Sequence, residues 1–99
     1  MKPIPEFFVS MYYSLKEVGF KNGYAITIHG SLTRDFDLIA IPWIKAANSE
    51  KKLIKDIMKE VGGEFLKQDK NPSIKPHGRH AYAIWIGRSY IDISVMPKI

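Results

Sequence analysis

The sequence contains no cysteine and no long apolar run. The absence of cysteine excludes disulfide bonds and metal sites built on thiolates. No stretch reaches the roughly 18 apolar residues that a membrane-spanning helix needs. The first residues lack the charged and then apolar pattern of a secretory signal. We therefore expect a cytoplasmic protein with no membrane partner.

Internal repeats and low-complexity segments are absent as well. The chain has 99 residues, of which 45% are hydrophobic and 25% are charged. This is the balance of a globular protein, and the length leaves room for one domain with a modest core. We expect that domain to cover residues 1–99.

Basic residues outnumber acidic ones. The 15 Lys and Arg against 10 Asp and Glu give a formal net charge of +5. A charge of this sign suits a partner that carries phosphates. A Lys-rich solubilising surface gives the same total, so the charge alone leaves both interpretations open.

Two segments have the apolar period of amphipathic helices. The first covers residues 5–18 and is predicted to end at Gly19. The second begins at an N-cap, Asn48 or Ser49, and is ended by Gly62 and Gly63.

Four segments favour β-strands, at residues 24–28, 36–41, 81–86 and 90–96. Residues 68–79 contain two prolines and a glycine and predict an irregular loop. The order α-β-β-α-β-β therefore predicts an α+β fold, with a single mixed sheet of about four strands and two helices packed on it.

Two carboxylates, Asp35 and Asp37, open the second predicted strand in the segment HGSLTRDFDLIAIPW, residues 29–43. Side chains two apart in a strand share one face and lie about 6.6 Å apart, so these carboxylates point the same way and repel each other. A proton or a cation relieves the repulsion, and Mg²⁺ prefers carboxylate oxygens. Alternatively, the pair is an exposed strand start in which Arg34 neutralises one acid.

A third acid, Asp92, lies in the last predicted strand. Its neighbours in the strand are apolar, and it lies on the face opposite to theirs. Together with the first two acids it would build a two-cation site, in which one ion activates an attacking oxygen and the other stabilises the leaving phosphate. As an alternative, Asp92 is a cross-strand partner of Arg79 or Arg88.

These motifs resemble those of the nucleotidyltransferase superfamily, which includes polymerase-beta-like enzymes. The resemblance rests on Gly30-Ser31 after a hydrophobic strand, on Asp35-Phe36-Asp37 at the start of the next strand, and on Asp92 in an apolar strand. With KPHGR (residues 75–79) and YIDISVMP (residues 90–97), the chain is similar to short phage- and prophage-type members of the superfamily. The similarity covers about residues 24–97.

The resemblance implies an enzyme that transfers a nucleotidyl group from a nucleoside triphosphate to an acceptor hydroxyl by a two-metal mechanism. Asp35 and Asp37 would bind two Mg²⁺ or Mn²⁺ ions. Asp92 would bind the ion that activates the acceptor hydroxyl and would take its proton. Gly30 and Ser31, with nearby backbone amides, would contact the triphosphate.

The chain departs from the superfamily in one respect. Only residues 32–34 separate Ser31 from Asp35, whereas members usually have a helical turn and a longer stretch there. This link leaves little room for a helix N-terminus that binds phosphate. Alternatively, therefore, Ser31 is only a turn residue and the chain is a catalytically silent nucleotide- or nucleic-acid-binding module of the same fold. The acceptor, nucleic acid or protein, would be bound by a homodimer, a partner protein or an open cleft.

Basic residues alternate with proline and glycine in KPHGR. We predict that Lys75, His77 and Arg79 form a phosphate-facing rim beside the acids, with ordinary loop charges as the alternative. Together with His29 and His80, His77 does not have the spacing of a zinc site.

Four aromatic residues have two interpretations. Trp43, Tyr82, Trp85 and Tyr90 are core or sheet-surface aromatics, or they form a platform on which nucleic-acid bases stack.

Overall fold

The computed structural model describes residues 6–29, 36–65 and 71–98. In chain order the elements are helix α1 (Glu6–Lys21), strands β1 (Tyr24–His29) and β2 (Phe36–Pro42), helix α2 (Glu50–Val61), and strands β3 (Ser73–Lys75), β4 (Arg79–Ile86) and β5 (Ser89–Val95). The predicted α+β fold, with two helices and one mixed sheet, is confirmed. The predicted number of about four strands is corrected to five within these ranges.

The sheet has the strand order β1-β2-β5-β4-β3. Strands β2 and β5 are parallel, and the other neighbouring pairs are antiparallel. The two strands that carry the described acids of the predicted site are therefore neighbours at the centre of the sheet.

Strand β3 lies inside the segment that was predicted to be an irregular loop. Its three residues pair antiparallel with the start of β4. All three are exposed, and prolines stand directly before and after them. A strand this short, with no buried face, has no periodicity by which a sequence pattern could reveal it.

The hydrophobic core lies on one face of the sheet, and both helices pack on that face. The strands contribute Tyr24, Ile26, Phe36, Leu38, Ala40, Tyr82, Ile84, Ile91, Ile93 and Val95, and the helices contribute Leu15, Leu53, Ile54 and Ile57. Because strand side chains alternate between faces, Asp37 of β2 and Asp92 and Ser94 of β5 lie on the opposite face. No helix of the described ranges covers that open face, so polar side chains there can meet a ligand.

Helix α2 has the caps that its sequence predicts. The Ser49 hydroxyl accepts a hydrogen bond from the Lys52 amide at 3.2 Å. Gly62 takes the left-handed conformation, φ 67°, at the C-cap. In residues 6–29, 36–65 and 71–98, neither helix combines the length and the apolar character that crossing a membrane requires.

Helix α1 does not end at Gly19, as predicted, but continues to Lys21. Gly19 is buried against β1: a Cβ atom at this position would lie 2.4 Å from Cγ1 of Ile26 and 3.1 Å from the carbonyl oxygen of Tyr24. The glycine is therefore required by the close approach of helix and strand, and it does not act as a helix stop.

We expect Gly19→Ala to destabilise the fold. Overpacking against Ile26 costs about 1–3 kcal/mol, and the better helix propensity of alanine returns about 1 kcal/mol. The net loss in the free energy of unfolding, measured by urea denaturation, is then up to about 2 kcal/mol. As a control, Ile26→Ala should cost less in the Gly19→Ala background than in the parent, and strictly additive losses would contradict this explanation.

Candidate functional site

The structure places two of the three predicted acids side by side. Asp37 of β2 and Asp92 of β5 are register partners in the parallel pair. Neighbouring strands lie about 4.8 Å apart, and residues opposite each other in the register share a face. Both side chains are half-buried on the open face. Asp37 and Asp92 therefore present their carboxylates to the same space.

Buried apolar neighbours determine which way these acids point. Phe36 and Leu38 flank Asp37 and are 2% and 1% exposed, while Ile91 and Ile93 flank Asp92 and are fully buried. A slip of one residue in either strand would bury an acid in the core and expose its apolar neighbours. The core therefore holds both carboxylates on the open face.

A cavity of about 270 Å³ lies over the acid pair. It is lined by His29, Asp37, Leu38, Lys75, Arg79, Asp92 and Ser94. Its size is close to the lower limit for small-molecule sites, about 300 Å³. Acidic and basic side chains thus line the same space.

Small side chains form part of the floor beside this cavity. Ala83 is the register partner of Asp92, and Ala81 is the partner of Ser94. Ala81 and Ser94 are each 8% exposed. A second, smaller cavity of about 80 Å³ lies next to Asp92 and is lined in part by Ala81 and Ala83.

Two of the three predicted basic residues line the cavity. Lys75 ends β3 and Arg79 begins β4, and the two are register partners. The Nε atom of Arg79 donates a hydrogen bond to the Pro76 carbonyl at 3.2 Å. His77 lies in the 3-10 turn between the two strands with φ 66°, is exposed, and is not among the described residues that line the cavity. Of the three residues predicted to form a rim, Lys75 and Arg79 line the cavity, and these two are called the basic rim below.

Sequence reasoning did not assign His29 or Ser94 to the site. His29 is the register partner of Asp37 across the β1–β2 pair, and Ser94 follows Asp92 on the same face of β5. Ser94 could have been found from the two-residue period of its strand. His29 could not, because its position depends on the register between strands.

The other predicted ligands lie outside the described residues. These are Gly30, Ser31 and Asp35. In the ranges 6–29, 36–65 and 71–98, no three side chains of His, Cys, Asp or Glu lie close enough together to bind one metal ion. The described part of the chain thus contributes two carboxylates to the candidate site, Asp37 and Asp92.

The two arginines considered as partners of Asp92 have different positions. Arg79 lines the same cavity as Asp92. Arg88 is exposed in the turn between β4 and β5.

The four aromatic residues separate into three locations. Tyr82 is buried on the helix-covered face. Trp43 follows β2, is 49% exposed, and stacks on Phe20 with ring centroids 5.4 Å apart. Trp85 and Tyr90 are register partners on the open face.

A hydrogen-bonded cluster on the covered face supports β4. The Tyr82 hydroxyl donates to the carboxylate of Glu50, and Nδ1 of His80 lies 2.9 Å from both oxygens of that carboxylate. Burial, together with the hydrogen bond to Glu50, raises the pKa of Tyr82 well above its usual value. The cluster ties the start of α2 to the strand that carries Arg79.

This raised pKa predicts a loss of stability in alkali. In the unfolded chain Tyr82 loses its proton near pH 10, but the folded state retains it, so the unfolded state binds fewer protons and stability falls as pH rises above about 10. Tyr82→Phe removes this dependence and costs about 1–2 kcal/mol at neutral pH, because a hydrogen bond to a charged group is lost.

The measurement is urea denaturation from pH 7 to 11. The difference in free energy of unfolding between the parent and Tyr82→Phe should become smaller above pH 10. Tyr13→Phe, at an exposed position, controls for the loss of one phenol. A difference that stays constant over this range would contradict the role given to Tyr82.

Comparison of the sequence with models of known protein families gives no match, and comparison with functionally curated proteins gives none either.

Proposed function

We propose that the chain is a minimal nucleotidyltransferase, which moves a nucleotidyl group from a nucleoside triphosphate to an acceptor hydroxyl. One observation carries the proposal. Asp37 and Asp92 are register partners on parallel strands, and they line one cavity with Lys75 and Arg79.

The donor set fits a hard divalent cation. Asp37 and Asp92 offer carboxylate oxygens, the ligands that Mg²⁺ and Mn²⁺ prefer. Asp35 would supply a third carboxylate, because it stands two residues before Asp37 in the sequence. When bound, such ions supply charge neutralisation at the phosphates and make the acceptor hydroxyl easier to deprotonate.

The mixture of charges favours a metal-bound polyphosphate over either ion alone. A simple anion would be repelled by the two carboxylates, and a simple cation would be repelled by the two basic side chains. A nucleoside triphosphate with its divalent cation carries both charges. Such a ligand can place the cation at Asp37 and Asp92 and phosphate oxygens at Lys75 and Arg79.

In the proposed reaction, Lys75 and Arg79 donate hydrogen bonds to phosphate oxygens and hold the triphosphate for attack. The acceptor oxygen forms a bond to the α-phosphorus, and the bond from that phosphorus to the bridging oxygen of the β-phosphate breaks. Pyrophosphate leaves with the bonding electrons. The carboxylate of Asp92 accepts the proton of the acceptor hydroxyl.

The first test is the thermal response to metal. A cation that binds only the folded state at ten times its dissociation constant adds about 1.4 kcal/mol, which raises the melting temperature of a domain of this size by roughly 6–11 °C. With a non-hydrolysable nucleoside triphosphate present throughout, we expect this rise when Mg²⁺ or Mn²⁺ is added to the parent, and we expect Asp37→Asn to lose most of it, measured by differential scanning calorimetry.

Asp56→Asn is the matched control. Asp56 lies on α2 and forms an ion pair with Lys52 at 2.6 Å, so the variant should keep the metal response whatever its own stability.

The same proteins are assayed for label transfer from an α-labelled nucleoside triphosphate to nucleic-acid and protein acceptors, and Asp37→Asn should transfer none. A parent that binds metal and nucleotide without transfer would be the catalytically silent module, and a parent indifferent to both metals would overturn the site.

The second test removes the basic rim. The double variant Lys75→Ala, Arg79→Ala should bind the metal-bound nucleoside triphosphate about tenfold more weakly or worse, since hydrogen bonds between charged groups are lost. Its affinity should also depend less on salt concentration. Stability should change by less than about 1 kcal/mol, because Lys75 is exposed, the hydrogen bond of half-buried Arg79 lies at the surface, and surface charges contribute little.

Lys55→Ala with Lys59→Ala removes the same charge from α2, where both lysines are exposed. Isothermal titration calorimetry of this control should match the parent. If the two double variants weaken binding equally, the effect is one of net charge, and the rim has no specific role.

A further inference from the structure

A pair of large aromatic rings lies on the open face of the sheet. Trp85 of β4 and Tyr90 of β5 are register partners, and their ring centroids are 4.7 Å apart with 38° between the ring planes. Both residues are half-buried. The hydrophobic core lies on the opposite face of the sheet, and neither residue belongs to the core cluster.

The aromatic pair is next to the acid pair. Tyr90 stands two residues before Asp92 on the same face of β5, a separation of about 6.6 Å along the strand. On β4, Trp85 stands two residues from Ala83, the register partner of Asp92. The rings are thus the nearest large side chains on one side of the acids in these two strands.

The basic residues lie on the other side of the acids. Arg79 begins β4, whereas Trp85 stands near the end of the same strand. The short side chains of Ala81 and Ala83 separate them on this face. Along the open face the aromatic pair is therefore followed by the two acids and then by the two basic residues, and on β4 only short side chains lie between the two ends.

This order matches the parts of a nucleoside triphosphate. The molecule has a flat aromatic base at one end, a chain of phosphates at the other, and a divalent cation bound to the phosphates. Bases stack on aromatic side chains whatever their sequence, because every base has a π-face.

We propose that Trp85 and Tyr90 form the nucleobase subsite, in which the base stacks on the ring pair while the phosphates extend past Asp37 and Asp92 toward Lys75 and Arg79. This inference rests on the proposed function for the phosphate end of the ligand. It adds which residues hold the base of the nucleoside triphosphate, and that stacking selects weakly among the bases.

The chain contains two tryptophans, which allows a direct measurement. In Trp43→Phe, Trp85 is the sole tryptophan, and in Trp85→Phe the sole tryptophan is Trp43, which stacks on Phe20 beyond the opposite end of β2. Each protein is titrated with adenosine, with a non-hydrolysable ATP analogue plus Mg²⁺, and with inorganic tripolyphosphate plus Mg²⁺.

We expect adenosine and the ATP analogue to quench the fluorescence of Trp43→Phe and to leave that of Trp85→Phe unchanged. The analogue should bind about 5- to 150-fold more tightly than tripolyphosphate, the range that stacking of one base on an aromatic side chain provides. In Trp85→Leu with Tyr90→Leu this advantage should disappear while tripolyphosphate affinity stays the same. Trp43→Leu should keep the advantage.

Failure of this inference and failure of the proposed function give different results. If tripolyphosphate binds but adenosine does not quench Trp85 and the analogue binds no more tightly, the nucleobase subsite is overturned and the phosphate site stands. If adenosine quenches Trp85 and tripolyphosphate does not bind, the subsite stands and the proposed function is overturned. Absence of binding by all three ligands overturns both. The quenching measurement uses only Trp43→Phe and Trp85→Phe, which keep an aromatic ring at the substituted position. It therefore does not depend on the folding of the leucine variants.

Discussion

The parallel pairing of β2 with β5 is the contact on which the other features of the molecule depend. These strands are far apart in the chain, and the register is held by apolar pairs on the covered face, where Phe36 lies beside Ile91 and Leu38 beside Ile93. All four side chains are at most 2% exposed, so a shifted register would expose them. Complete burial of each of these side chains stabilises the folded state by about 1.5–3 kcal/mol. The same pairing brings polar residues of both strands together on the opposite face.

The two faces of the sheet differ in composition and role: the covered face, under the helices, holds the core, and the open face carries the candidate site. Both helices pack on the first, and their connections are held by polar contacts such as that of Asn22, 4% exposed, whose side-chain oxygen accepts a hydrogen bond from Asn48 at 2.9 Å. Because the helices and the core stabilise the sheet from one side, the other side can carry half-buried charges and short side chains. A cavity lined by Asp92 and Arg79 together is then compatible with a stable fold.

The helices and the longer strands were predictable because the patterns that indicate them lie within a few neighbouring residues. A helix such as α2 shows its apolar period and its cap, Ser49, within a few neighbouring residues, and a strand shows alternation in the same way. Elements without such signals were missed or misjudged. Strand β3 is exposed and three residues long. Gly19 has the residue type of a helix stop, and only its contact with Ile26 explains why it stands inside a helix.

The sequence by itself determined that Asp37 and Asp92 each lie on the polar face of a strand, because alternation depends on adjacent residues only. Only the tertiary structure decided that the two are register partners, that His29 shares their cavity, and that His77 lies outside its described lining. The physical reason is that strand pairing is selected by burial of apolar surface between segments distant in the chain. A period of two residues specifies the face of a side chain, but it carries no information about which strand lies beside it.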